Sequence, residues 1–202
     1  CEYAEKYDET PEDHAETISM IHRQADKMAK LVSQLLNMTR MEQGIDSAKM
    51  ERMDFGKFVD DFCREQHWDS SRFIVKASGH IPVTINPELL GRLITNLVEN
   101  AWKYGSDEKP VQITVMADHE EALLMVQDHG IGISPVDQEK IWQRFYQVDV
   151  SRSNQEGSGL GLSMVKQIAK LHGGYMTLDS SLGKGSTFTL HLPLLKKINF
   201  LK

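Results

Sequence analysis

The sequence predicts an α+β fold, a two-layer α/β sandwich with helices on one face of a mixed sheet, preceded by a long bundle helix. Three observations carry this reading. Apolar residues recur at spacings of three and four from about Glu12 to Gly44, short strand-like runs come in neighbouring pairs after residue 70, and two amphipathic helical runs lie among those pairs. The chain has 202 residues, 40% hydrophobic and 26% charged, which is enough for one sizeable core and an appendage. No run approaches the ~18 to 20 apolar residues of a membrane span, and no signal peptide opens the chain. A formal charge of −6 argues against a broad nucleic-acid footprint. Cys1 and Cys63 offer neither a disulfide framework nor zinc spacing, and read as thiols of a reducing compartment. Because it opens on Cys1 without an initiator Met, the chain is expected to be a fragment of a longer protein.

Residues 1–44 read as part of a helical bundle. Ile18, Ile21, Ala25, Met28, Val32 and Leu35, with Thr39 on the next position, form a heptad seam. Leu31, Leu36 and Met38 widen it, which favours a four-helix bundle over a two-stranded coil. Such a face needs partners, from other helices or, in the alternative, from the chain's own second domain. Cys1 to Asp8, ahead of Thr10-Pro11, reads as the tail of a preceding helix. Gly44 ends the helix as a C′ glycine, and residues 45–53 are a linker.

A second domain spans 54–195, with 196–202 as a tail. Its first helix runs over Phe55–Gln66, with Phe55, Phe58, Val59, Phe62 and Cys63 on one side. Residues 73–77 and 83–85 read as strands about the turn Ser78-Gly79-His80. Asn86 then caps a helix whose first position is Pro87, and Leu89, Leu90, Leu93, Ile94, Leu97, Val98 and Ala101 give it a core face. Strands over 111–116 and 122–126 form a hairpin at Asp118-His119-Glu120. After the polar stretch Ser151 to Glu156 come a glycine-headed helix ending at Leu171, a strand over 174–178, a turn at 180–185 and a last strand over 186–192.

Four stretches carry chemistry. Gly157-Ser158-Gly159-Leu160-Gly161-Leu162 opens a helix, and a helix N-terminus offers unpaired N–H groups to a phosphate; plain turns and other nucleotide folds contain the same pattern. It is no dinucleotide fingerprint, since Ser151 to Glu156 before it cannot be a buried strand. Asn96, Asn100, Lys103 and Tyr104 line one edge of the Pro87 helix, where they either hold a metal ion and polyphosphate or form a solvated polar face. Asp128-His129-Gly130-Ile131-Gly132 places an acid at a strand end beside backbone that a flat base can approach, or else makes an Asp-Gly turn. The stretch Ile141 to Gln147, with Arg144 and Phe145, leads into the polar run Val148 to Glu156, which reads as a mobile lid whose Arg152 could reach a terminal phosphate. Gly183-Lys184-Gly185-Ser186-Thr187 is no P-loop, because Gly185 stands where Ser or Thr is required and a strand follows.

In this order, Asn96 to Tyr104, Asp128 to Gly132, Arg144-Phe145-Tyr146, Gly157 to Leu162 and Gly185-Ser186-Thr187 resemble the catalytic domain of bacterial sensor histidine kinases. That domain has the Bergerat-type ATP-binding fold, shared with type II topoisomerases, mismatch-repair ATPases and the ninety-kilodalton heat-shock chaperones. The resemblance runs from about Met53 to Pro193, and Leu35 to Gly44 is similar to the end of the second helix in the family's dimerisation and phosphotransfer bundle. It implies ATP and Mg²⁺ as cofactors, with Asn100 on the metal and Asn96 and Lys103 near the phosphates. Tyr104 would meet base or ribose, and Asp128 would accept the adenine amino group. Gly130 and Gly132 would shape the pocket, and Gly157, Gly159, Gly161 and Leu162 would flank the phosphates. Phe145 would anchor the lid, Arg152 or Arg144 would reach the γ-phosphate, and Thr187 would lie near the adenine-side water. Many members carry Arg where this chain has Gln147.

The resemblance also implies transfer of the γ-phosphoryl to a histidine and relay to a response-regulator aspartate, in a homodimer formed through the bundle. None of the eight histidines fits the family's acceptor pattern of His, acid and then Arg-Thr-Pro, so the acceptor helix is expected upstream and this chain is expected not to phosphorylate itself. The parent is expected in the bacterial inner membrane through upstream segments, with this portion cytoplasmic and no nucleic acid bound. Two rivals remain: a non-catalytic nucleotide-binding module, favoured by Gln147, and a superfamily ATPase acting as a clamp.

Overall fold

The computed structural model describes residues 10–42, 49–148 and 158–195. The chain divides into two compact units, Cys1–Arg40 and Met41–Lys202. The first unit consists, as far as it is described, of helix α1 (Pro11–Glu42), whose last two residues belong to the second. Its start is a reciprocal cap. Thr10 Oγ1 accepts from the Asp13 N–H at 3.2 Å, and Asp13 Oδ2 accepts from the Thr10 N–H at 3.1 Å. Ile18, Ile21, Met28, Val32, Leu35 and Leu36 are all exposed, so the expected seam is formed but unburied. His14 and His22 are exposed too, His22 lying 3.1 Å from the Asp26 carboxylate one turn on. The Met38 side chain, Cys1 to Asp8 and Gly44 lie outside the described residues.

The second unit contains, in order, β1 (Glu51–Asp54), α2 (Phe55–Glu65), β2 (Phe73–Ala77), β3 (Pro82–Ile85), α3 (Pro87–Tyr104), β4 (Val111–Asp118), β5 (Glu121–Gln127), the one-turn α4 (Pro135–Gln138), α5 (Gly161–Leu171), β6 (Tyr175–Ser181) and β7 (Gly185–Pro193). Five strands form a mixed sheet in the order β2-β4-β5-β7-β6. Only the β2–β4 pairing is parallel. One residue in two is buried along β4 (Val111, Ile113, Val115), β5 (Ala122, Leu124, Val126) and β7 (Phe188, Leu190, Leu192), so the sheet has one apolar face, which α2, α3 and α5 cover. The α+β two-layer fold is therefore as the sequence predicts.

Helix α3 is the spine of that core. The Asn86 side chain accepts from the Leu89 N–H, Pro87 takes the first turn, and all seven expected apolar residues are buried, the Leu, Ile and Val among them each worth about 1.5–3 kcal/mol. The structure departs from the sequence reading at one boundary and adds two features that the sequence leaves open. The linker assigned to 45–53 is a strand from Glu51 onward, β1, pairing antiparallel with β3 in a separate two-stranded sheet. The sequence hides it because only Met53 of Glu51-Arg52-Met53 is apolar. The segments 73–77 and 83–85 are not paired across Ser78-Gly79-His80, since β2 joins β4 and β3 joins β1; a polar turn between two apolar runs does not fix which edge each run meets. Helix α4, too short for periodicity, is unforeseen.

Candidate functional site

Asp128 follows β5 and is 7% exposed. Its Oδ1 accepts from the Gly130 N–H at 2.8 Å and from the Ser186 N–H at 3.2 Å, while its own N–H donates to the Ser186 carbonyl at 2.9 Å. Burial pushes the Asp128 carboxyl above its ordinary value, and the hydrogen bonds from Gly130 and Ser186 pull it partly back. A buried acid of this kind is either protonated or reserved for a donor that arrives with a ligand.

The surroundings of Asp128 are fixed by backbone. The Ile131 N–H donates to the Tyr104 carbonyl at 3.2 Å, tying the Asp128 loop to the end of α3. A Cβ on Gly130 would lie well inside contact distance of that same Tyr104 oxygen, so only glycine lets the loop come so close. Gly132, at φ +68°, lies as tightly against the Ser181 backbone. Behind them Ser180 Oγ accepts from the Ile133 N–H at 2.8 Å, donates to the Gly185 carbonyl at 3.0 Å and lies 3.0 Å from Ser186 Oγ. Gln138 Nε2 of α4 donates to the carbonyls of Ile133 and Ser180, both at 3.0 Å.

Further back along α3, Asn96 Nδ2 donates to the Arg92 carbonyl at 2.8 Å, which turns Oδ1 away from its own helix. That oxygen would stand 2.9 Å from a Cβ on Gly161, the first residue of α5. Leu160, at the N-cap of α5, supplies no side-chain cap, so the first-turn N–H groups have no acceptor from that source. Asn100 and Lys103 are half-buried, and Lys103 Nζ lies 5.0 Å from the centroid of the Tyr104 ring, itself 42% exposed. From Asn96 to Tyr104 the helix rises about 12 Å, separating a carboxylate end of the site from a helix-terminus end.

The segment after α4 is anchored at both sides. Tyr146 donates its hydroxyl to Asp137 Oδ1 at 2.7 Å, Trp142 meets Phe188 edge to face, and the Phe145 N–H donates to the Gly159 carbonyl at 2.9 Å. Hydrogen bonds from Ser134 and then Tyr146 hold the Asp137 carboxyl below its ordinary value. Phe145, at φ 64°, and Arg144 are exposed. Arg152 and Gly157 lie outside the described residues.

Of the residues named from the sequence, the structure gathers Tyr104, Asp128, Gly130 and Gly132 at one end, and Asn96 and Gly161 at the other, with Phe145 joined to Gly159. Leu162 is half-buried and lies against the core. Thr187 takes a position on β7 between buried Ser186 and buried Phe188, paired with Gln127. Sequence reasoning gave no role to Ser180 or to Ser186, although Ser186 stands in the quoted glycine turn; Ser186 bonds Asp128 through its N–H, and Ser180 ties Ser186 to the loop at Ile133. Their signal is the β6–β7 register, which sets Ser180 opposite Ser186 and is legible only once the hairpin is paired.

A family model described as histidine kinase-, DNA gyrase B- and HSP90-like ATPase matches residues 85–196, more than half of the chain, and the chain belongs to that ATPase family, on its sensor histidine kinase branch. Among curated relatives, the sensor histidine kinase RppB of Synechocystis sp. is 36% identical over 182 residues, covering 86% of this chain and 40% of RppB. The chain thus spans about 40% of that relative's length. The solved structure of the mycobacterial sensor histidine kinase MprB is similar with a TM-score of 0.59 and 26% identity, over 71% of this chain and 97% of that one. Full-length ShkA in complex with AMPPNP shares the fold with a TM-score of 0.70 and 20% identity, over 93% of this chain and 40% of that one.

Proposed function

We propose that the second unit binds ATP with Mg²⁺ and donates the γ-phosphoryl to a histidine that is not among the eight of this chain, for relay to a response-regulator aspartate. One observation carries the reading: a buried carboxylate whose Oδ1 is held by two backbone N–H groups, so that Oδ2 is offered to the adenine amino group. Tyr104 lies beside base or ribose, and Gly130 and Gly132 keep the backbone low enough for a flat ring. The rise along α3 suits a nucleoside triphosphate extended from Tyr104 toward Asn96, Gly159, Gly161 and Leu162.

Two asparagine amides fit a Mg²⁺ that takes most of its oxygens from phosphate, and the orientation of Asn96 Oδ1 supports this donor set. Asn100 is assigned to the metal, which when bound neutralises phosphate charge. Asn96 and Lys103 orient the phosphates, Phe145 anchors the segment over them, and Arg144 or Arg152 meets the terminal phosphate. Thr187 stands near the adenine-side water. The protein's contribution is positioning and charge neutralisation. The exposed stripe of α1 supports homodimerisation through a bundle in the parent protein, whose membrane attachment is expected outside this chain; no helix among the described residues is long and apolar enough to cross a membrane.

The test mixes this chain, radiolabelled ATP and Mg²⁺ with a separate acceptor helix. Acid-labile label on that helix's histidine is expected. ATP binding without label on the acceptor hands the case to the non-catalytic reading, which Gln147 favours, and label on His14 or His22 overturns the exclusion of this chain's own histidines.

A further inference from the structure

We propose that His172 is a positioning residue for the phosphate end of the site, a latch that fixes how far α5 is slid along α3. The proposal rests on the nucleotide reading above. His172 follows the last turn of α5 and is 6% exposed. Its Nδ1 lies 2.8 Å from the Ile168 carbonyl of its own helix, and its Nε2 accepts from the Asn86 N–H at 3.0 Å. With both ring nitrogens engaged in this way, Nδ1 carries the proton and Nε2 is the acceptor. Burial pushes its basicity down, which keeps the ring neutral.

Asn86 is the N-cap of α3, so the bond joins the start of α3 to the end of α5. The two helices pack along a shared apolar face, and at its far end Asn96 stands against Gly161. Between the two junctions lie about 15 Å of α3 and about 16 Å of α5, so the helices run antiparallel and are pinned near both ends of the shared stretch. The pin at Asn96 is loose, since it is only the end of an amide beside a glycine. The pin at His172 is directional, because one imidazole spans from a carbonyl on α5 to an N–H on α3. Sliding α5 along its axis breaks the Asn86 bond and at the same time moves the N–H groups of Gly161 and Leu162 relative to Asn96. The base end does not share this dependence, being tied to α3 through Tyr104 and to β7 through Ser186.

The experiment compares wild type with His172→Phe, which keeps bulk and loses both bonds, and His172→Gln, which retains an acceptor and a donor. ATP and adenosine affinities are measured by calorimetry and NMR titration, with folding checked by circular dichroism. His172→Phe is expected to weaken ATP about tenfold or more while adenosine stays within about twofold, and His172→Gln to restore most of the ATP affinity. Unchanged ATP affinity in His172→Phe, equal losses for ATP and adenosine, or failure of Gln to rescue overturns the latch. If the Phe variant does not fold, His172→Met, apolar and adaptable, is read by the same ratio, and its collapse as well shows a role in folding alone and overturns the proposal. Wild type that binds no ATP instead overturns the nucleotide reading.

Discussion

The two ends of the site are built by different means. At the base end, a single carboxylate is braced by backbone of two neighbouring chain segments, and Ser180, Ser186 and Gln138 tie those segments to one another. At the phosphate end, two helices meet with one amide oxygen facing a glycine, and the first turn of α5 has no side-chain cap. The first arrangement fixes a geometry whether or not a ligand is present. The second leaves polar groups for a ligand to satisfy. A flat base is recognised by shape and one acceptor, whereas a polyphosphate is held by charge and many donors.

Mutations at the two ends break this contrast in separable ways. Asp128→Asn has the largest effect on binding, replacing the acceptor by an amide whose NH₂ can face the adenine amino group. It lowers affinity for ATP and adenosine alike by about 100-fold, a loss of about 2.7 kcal/mol, with the melting temperature little changed. Gly161→Val acts on the other end: the new side chain collides with Asn96 Oδ1, so ATP binding falls by more than about tenfold while adenosine binding and helix content persist. A calorimetric ATP affinity equal to wild type would refute that placement. Gly130→Ala drives a methyl group into the Tyr104 carbonyl and is expected to cost about 3 kcal/mol in a denaturant melt, more than the same change at exposed Gly183, where no atom lies within 4 Å.

The contrast also has a pH signature. The folded Asp128 carboxyl sits above its ordinary 3.8, so the folded state binds this proton more readily than the unfolded one, and ionisation of Asp128 opposes folding of the free protein as pH rises through that window. Adenine binding needs the carboxylate, so adenosine affinity falls as pH drops through the raised value, and Asp128→Asn removes that slope. Smallest of all, Ser180→Ala removes bonds to Ile133 and Gly185 and is expected to cost about 1 kcal/mol of stability and to weaken adenosine slightly more than phosphate.

Much of the second unit was legible because its elements announce themselves locally. Asn86-Pro87 with the stripe Leu89 to Ala101 marks a capped core helix, and the alternation of β4 and β5 about Asp118 to Glu120 marks a hairpin. Asp128, Gly130 and Gly132 could be singled out for the same reason, since an acid and two glycines after an apolar strand form one contiguous signal. Strand β1 escaped because Glu51 and Arg52 are exposed on an edge pair and show no alternation. Ser180 and Ser186 escaped because a serine acquires meaning only from what stands across the hairpin.

The sequence by itself determined the type of most elements of the second unit, the core faces of α2, α3 and α5 and the motif order that marks the family, because periodicity, caps and glycines act over a few residues. Tertiary structure alone decided the strand order β2-β4-β5-β7-β6, the bracing of Asp128 and the meeting of Asn86 with His172 across 86 residues. Those depend on which apolar faces meet and on which buried polar groups must then find partners, and a linear pattern does not encode either until the chain has closed on itself.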